Sequence, residues 1–128
     1  MRNIEDIPEL PDREKRLDEI MVDCYGREEE LAAFEVYLTD ALRPPFAATW
    51  RDPDESGHAE PITVLGVADV DDRRGILLNV RWRRGGKERR VLAEQVWADD
   101  AASANGIVLD DYRSWADGGG LDEDDEYY

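Results

Sequence analysis

The segment GILLNVRWRRGGKERRVLAEQV, residues 75–96, decides the fold, because apolar residues recur at every second position in its first half. Ile76, Leu78, Val80 and Trp82 fall on one side of an extended chain, and arginines follow on the other side. The two glycines in the middle are typical of a β-hairpin turn, after which KERRVLAEQV returns as another strand. The pattern therefore predicts an antiparallel hairpin with one buried face.

Two more strands are predicted on the N-terminal side of this hairpin. They are FAATWRD, residues 46–52, and PITVLGVAD, residues 61–69. Both are rich in β-branched, aromatic or small apolar residues, and proline, glycine, aspartate and serine separate them. Short, bent strands at this spacing predict a small SH3-like antiparallel β-barrel over residues 46–98.

Three helices are predicted around the strands. Apolar residues three and four positions apart indicate amphipathic helices over residues 13–24 and 27–42, and the prolines of RPPF end the second of them. A short C-terminal helix is predicted over residues 107–116. We therefore expect the α+β class, with an N-terminal helical pair packed on the barrel.

The two ends of the sequence differ from the middle. Residues 1–11 are polar and contain two prolines, and we expect a polar arm there. Residues 118–128, GGGLDEDDEYY, hold five acids and three glycines and no apolar cluster, which predicts a disordered acidic tail. A single domain over residues 12–117 lies between them.

The composition excludes several classes of protein. A net charge of −16 argues against nucleic acid as a partner, because binding to phosphates needs an attractive field. Residues 73–90 nevertheless hold eight of the 16 basic residues, so the remaining chain carries 31 acids and eight bases. The single cysteine excludes an intramolecular disulfide framework, and we find neither a secretory signal nor an apolar run that could span a bilayer. We expect a cytoplasmic monomer without membrane contact.

The segment RDPDESGHAE, residues 51–60, resembles the start of an EF-hand calcium loop. Counted from Asp52, however, position 12 of that loop is Thr63, which cannot supply the bidentate carboxylate. Strands rather than helices are predicted on both sides. We interpret the segment as a solvated acidic turn, in which Asp54 or Glu60 could make a weak ion contact.

The acidic loop in GVADVDDRRG, residues 66–75, is a better candidate metal site. Asp69, Asp71 and Asp72 lie within four residues, and crowded carboxylates repel one another unless a cation lies among them. Carboxylate oxygens are hard ligands that suit calcium. The alternative is that Arg73 and Arg74 neutralise the loop.

Three other aspartates are also candidate metal ligands, and Asp99 and Asp100 are the weaker of them. Asp40 lies near the end of the second predicted helix, where the helix dipole disfavours an anion, so a role beyond helix stability is indicated. Asp99 and Asp100 precede the C-terminal helix, and N-capping explains them at least as well as metal binding.

The sequence contains no nucleophile with a companion base and no phosphate-binding or dinucleotide-binding motif, so we do not expect an enzyme. Two binding functions compete with calcium binding. One is an acidic SH3-like interaction module that binds a basic protein partner without metal. The other is an RNA-contacting barrel that uses the arginines of residues 81–89, although the surrounding negative field opposes it.

Several segments in order resemble the cyanobacterial-type calcium-binding protein family, the CcbP-like proteins. These segments are DCYGREEE (23–30), VYLTDALRPPFAA (36–48), VLGVAD (64–69), VRW (80–82), VLAEQV (91–96) and DDYRSW (110–115). The resemblance covers roughly residues 16–116 and rests on the ordered set rather than on one motif.

The resemblance implies a small acidic cytoplasmic protein that buffers or senses calcium without EF-hands, with helices packed on a small barrel. It implies calcium binding first at Asp40, which matches the acidic position of a Tyr-Leu-x-Asp-x-Leu stretch. It also implies calcium binding at Asp69, Asp71 and Asp72, which match the acidic loop after a Leu-Gly-x-Ala strand. The present loop departs from the family pattern because Arg73 and Arg74 follow it.

Overall fold

In a computed structural model of the protein, the described residues are 13–53, 57–71 and 73–117. The predicted arm, the predicted acidic tail and residue 12, where the predicted domain begins, all lie outside these residues. None of the helices in the described part of the chain is long and apolar enough to cross a membrane.

The described residues form three α-helices: α1 (Arg13–Ile20), α2 (Arg27–Ala41) and α3 (Ala104–Trp115). Helix α1 ends four residues before the predicted position 24, because the chain turns at residues 21–23 and Asp23 adopts a positive φ of 65°. Helix α3 begins three residues before the predicted position 107. Its N-cap is Ser103, whose hydroxyl oxygen accepts a hydrogen bond from the Gly106 amide.

Five strands form one antiparallel sheet in the order β4-β3-β2-β1-β5. Their bounds are β1 (Phe46–Arg51), β2 (Ala59–Asp71), β3 (Gly75–Trp82), β4 (Glu88–Leu92) and β5 (Val96–Ala98). The predicted return strand ends early, at Leu92, where a 3₁₀ turn at Ala93–Gln95 follows; β5, which was not predicted, comes next and pairs with β1.

The sheet is open, because β4 and β5 are its two edges in the described part of the chain. The α+β class and the alternation that predicted the strands are confirmed, whereas closure into an SH3-like barrel is not. The glycine turn of the β3–β4 hairpin is confirmed: Gly85 and Gly86 have φ values of 88° and 73°, a region that glycine enters without steric cost.

The core lies between the sheet and the helices. Alternate residues of β2 and β3 point into it, including Ile62, Val64, Leu78 and Val80, which are all fully buried. Phe34 of α2 is fully buried in the same cluster. Its ring stacks on Trp115, with 4.9 Å between centroids, and meets Tyr112 edge to face at 5.7 Å. Helices α2 and α3 therefore form a second layer on one face of the sheet.

A buried carboxylate joins the three helices. Asp111 of α3 is fully buried, and its two oxygens accept hydrogen bonds from Nε and Nη2 of Arg16 at 2.7 and 2.9 Å. The hydroxyl of Tyr37 on α2 donates to the same carboxylate at 2.7 Å. Burial, and then the bond to Asp111, raise the pKa of Tyr37, so its hydroxyl keeps the proton that it donates. This network attaches the short helix α1 to the rest of the domain.

We predict that Asp111→Ala lowers the free energy of unfolding by about 3–5 kcal/mol, because it removes the fully buried carboxylate that accepts two hydrogen bonds from the partly buried Arg16 guanidinium. The matched control is Glu88, which pairs with Arg81 at 3.0 Å on the surface of the β3–β4 hairpin. Because 62% of the Glu88 side chain is exposed, Glu88→Ala should cost about 1 kcal/mol or less. Urea unfolding of both variants measures the difference. Equal small losses would show that the buried network does not hold α1.

Candidate metal site

The predicted acidic loop forms the turn between β2 and β3. Strand β2 pairs with β3 as far as Asp71, which lies opposite Gly75. Oδ1 of Asp71 accepts hydrogen bonds from the Arg73 and Arg74 amides at 2.8 and 2.9 Å, an Asx-type turn. Gly75 has a φ of 111°, which favours glycine and lets the chain enter β3. The sequence therefore sets the shape of the turn locally.

The two described carboxylates of this loop retain acceptor capacity. Oδ1 of Asp69 accepts from the Val70 amide at 2.8 Å, and both turn bonds reach Oδ1 of Asp71. Within residues 13–53, 57–71 and 73–117, no hydrogen bond reaches Oδ2 of either residue. The backbone amides of Arg74 and Arg73 lower the pKa of Asp71, which favours its ionised form. The charges of the Arg74 and Arg73 side chains, the alternative partners predicted for this loop, lower that pKa less than their backbone amides do.

Both helices of the second layer brace this turn. Arg27, the first residue of α2, donates from Nη2 to the Arg73 carbonyl at 3.4 Å. The Ile76 amide, at the start of β3, donates to the Tyr112 hydroxyl oxygen at 3.1 Å. Burial raises the pKa of Tyr112, so the hydroxyl stays neutral beside the amide. The acidic turn is consequently fixed relative to α2 and α3.

Asp40 lies far from this turn. Arg27 at the start of α2 contacts the turn, and Asp40 is thirteen residues further along the same helix. A helix rises about 1.5 Å per residue, so about 20 Å of helix separates Asp40 from Arg27, the residue that contacts the turn. Asp40 is exposed, and in the described part of the chain its carboxylate has no hydrogen-bond or ion-pair partner. The structure therefore does not bring Asp40 and the acidic loop together.

The remaining predicted ligands have other partners. Asp99 forms an ion pair with Arg83 at 2.8 Å and accepts from the Thr49 hydroxyl at 3.1 Å. Oδ1 of Asp100 accepts from the Ala102 amide at 3.1 Å. N-capping by these two aspartates was the wrong interpretation, because α3 begins at Ala104 and its N-cap is Ser103. Asp100 instead stabilises the turn before the helix.

The EF-hand-like segment lies in the β1–β2 hairpin, where strands flank it. The Asp52 amide donates to the His58 carbonyl at 3.1 Å and closes the hairpin loop. Glu60 is paired with Arg84 at 3.2 Å. Asp54 of this segment and Asp72 of the acidic loop lie outside the described residues. Among the residues that are described, no three acidic, histidine or cysteine side chains converge on one point.

Sequence reasoning missed the residues that hold the acidic turn in place. Arg27 is the only base in REEE, and its position at the start of α2 was visible, but its contact with a turn 46 residues away was not. Tyr112 follows Val108 by four residues and precedes Trp115 by three, which is the spacing of a buried helix face. That spacing predicts burial but does not reveal the hydroxyl's bond to Ile76.

Comparisons with known proteins give a consistent result. A family model for CcbP, described as calcium binding, matches residues 14–116. A solved calcium-binding protein in its calcium-binding form superposes with a TM-score of 0.71 at 24% identity, over 93% of this chain and 98% of that one. The crystal structure of Anabaena CcbP gives 0.66 at 26% identity, over 81% and 88%. A search of curated proteins finds no significant match.

We predict that Asp71→Ala destabilises the protein at neutral pH and that the difference fades in acid. The folded state lowers the pKa of Asp71, so its contribution is present above the unfolded pKa and is lost as pH falls through the folded value. Chemical unfolding of parent and variant between pH 7 and about pH 2 measures this. A difference in unfolding free energy that does not change with pH would contradict the prediction, because it would show that the two amides do not favour the ionised form of Asp71.

Proposed function

This chain belongs to the CcbP family of calcium-binding proteins, and on that premise we propose that it is an acidic, non-EF-hand calcium buffer or sensor of the cytoplasm. The observation that carries the proposal is the family match over residues 14–116, which takes in all three helices and all five strands but for the first residue of α1. The net charge of −16 supports it, since an acidic surface concentrates divalent cations near the protein.

The chemistry of the β2–β3 turn fits calcium. Calcium prefers six to eight oxygen ligands from carboxylates, carbonyls and water. Asp69 and Asp71 each offer a carboxylate oxygen that no described residue occupies, and the amides beside Asp71 favour its ionised form. Two carboxylates do not complete a shell. We propose that Asp72 and water supply further oxygens at this turn.

We propose that Asp40 belongs to a second calcium-binding region. Its carboxylate is exposed, and about 20 Å of helix separates Asp40 from the residue that contacts the turn, so one ion cannot contact both. Arg43 donates to the carbonyls of Asp40 and Ala41 rather than to the carboxylate, which leaves the negative charge of Asp40 open to a cation. Asp99 and Asp100 are weaker ligands in this proposal, because arginine and amide groups already occupy them.

The second candidate function is an acidic interaction module that binds a basic protein partner without metal. The observation that favours it is the distribution of charge, because the residues outside 73–90 include 31 acids and only eight bases. This function requires no calcium, so calorimetry separates the two candidates. Absence of heat at millimolar calcium would leave the interaction module, because even weak natural calcium sites bind near ~10⁻³ M.

We predict that Asp71→Asn weakens calcium binding by about tenfold, the lower end of what removing a supporting group from a metal site costs. The amide keeps an oxygen but removes the charge that a hard divalent ion favours. Asp99→Asn is the matched control, since it removes the same charge from a carboxylate already paired with Arg83, and it should change affinity little. Calcium calorimetry at physiological salt measures all three proteins. Equal affinities for parent and Asp71→Asn would refute the turn as a ligand region.

We also predict that Asp40→Asn and Asp71→Asn act independently. Two regions about 20 Å apart lie beyond the ~8 Å screening length at physiological salt, so the free-energy changes of the single variants should add within about 0.5 kcal/mol. Each variant should also remove heat from a different part of the titration. A double variant no weaker than one single variant would place both residues around the same ion and contradict the separation along α2.

A further inference from the structure

Strand β4 is an edge of the sheet and carries the most basic segment of an acidic protein. It pairs with β3 on one side, and within the described residues no strand pairs with its other side. Residues 81–90, around the hairpin turn that leads into it, read RWRRGGKERR and include six basic residues. An exposed edge offers unpaired backbone groups to another extended segment.

Only part of this positive charge is neutralised inside the described structure. Three ion pairs occur there: Arg81 with Glu88, Arg83 with Asp99, and Arg84 with Glu60. Lys87, Arg89 and Arg90 are exposed and have no carboxylate partner among the described residues, although Arg89 lies over the ring of Trp82 at 5.4 Å. Lys87 directly precedes β4, and Arg89 and Arg90 lie opposite Val80 and Asn79, so their side chains project from the two faces of the sheet. We call these three residues, which border the free edge from both faces, the basic strip. Paired carboxylates beside the strip limit its width, so it suits one extended acidic segment better than a nucleic-acid duplex or a membrane.

The end of α3 lies close to the end of β4. Nη1 of Arg113, in the last turn of α3, donates to the Val96 carbonyl at 2.8 Å, and Val96 follows β4 by one short 3₁₀ turn. Asp117 is near enough to Glu94 of that turn to raise the pKa of the Glu94 carboxyl, after the larger effect of burial. The chain therefore leaves α3 beside the point where β4 finishes.

The residues that follow have the charge and the length to reach the strip. Residues 118–128 begin with three glycines and continue with five consecutive acids at positions 122–126. Eleven extended residues span at most about 36 Å, whereas the five residues of β4 span about 17 Å. The acidic run can thus lie opposite the basic strip after a glycine linker.

We propose that residues 121–128 bind along the free edge of β4, antiparallel to it, with their acids against Lys87, Arg89 and Arg90. The direction follows from where α3 delivers the chain, next to the C-terminal end of β4. A tethered segment has an effective concentration near the millimolar range, so it outcompetes a second copy or another polyanion at ordinary concentrations. The segment has no apolar cluster of its own, so charge contacts and edge hydrogen bonds would supply the binding energy. The proposal does not depend on calcium binding.

NMR of the full-length protein tests this proposal through the amide signals of residues 121–128. In the parent at low salt, these signals should depart from random-coil positions. They should return toward those positions in the triple variant Lys87→Glu, Arg89→Glu, Arg90→Glu, and on raising the salt to about 0.5 M, where screening is nearly complete. The matched control is Lys87→Arg, Arg89→Lys, Arg90→Lys, which keeps the charge and should keep the parent signals.

Two further measurements identify the occupant. Shifts that stay constant between 20 and 500 μM protein support binding within one chain, whereas shifts that grow with concentration would assign the edge to a second copy and overturn the proposal. Random-coil signals in the parent that ignore both charge reversal and salt would also overturn it. So would a short RNA that moves the Arg89 and Arg90 signals without changing those of residues 121–128.

Discussion

The bidentate bond between Arg16 and the buried Asp111 is the interaction on which the helical layer depends. Helix α1 has eight residues and none of them is fully buried, so its own apolar contacts are too few to hold it. A charge placed at zero exposure is costly unless charged and hydrogen-bonded partners surround it. Arg16 and Tyr37 meet that requirement together. One carboxylate thereby fixes α1 against α2 and α3, and α2 and α3 in turn brace the acidic turn.

The sequence predicted the parts of the fold that depend on local periodicity. Strands β1, β2 and β3 alternate in hydrophobicity because one face is buried, and their bounds agree with the prediction to within a few residues. Strand β5 was missed because three residues are too few to show a period, and its partner β1 lies about 50 residues earlier. Closure of the sheet was a prediction about distant edges, and no local pattern specifies it.

The candidate site, like the fold, was predictable from the sequence only where its contacts are local. The acidic turn was recognisable because its carboxylates and glycine are neighbours in sequence, and the Asx-type bonds form within four residues. The separation of Asp40 from that turn depends on how α2 lies across the sheet, which the sequence does not reveal. Asp111 belongs to the DDYRSW segment of the family resemblance, yet nothing in that segment predicts its burial, because its partner Arg16 is 95 residues away.

The length of α2 affects how calcium uptake depends on calcium concentration under the proposed function. Two carboxylate regions held about 20 Å apart by a continuous helix exert little electrostatic influence on each other at physiological salt. Under the proposed function, regions of different strength fill in succession as the ion concentration rises. Such a molecule takes up its ligand gradually over a broad concentration range, in the manner of a reservoir, and does not convert in a single cooperative step.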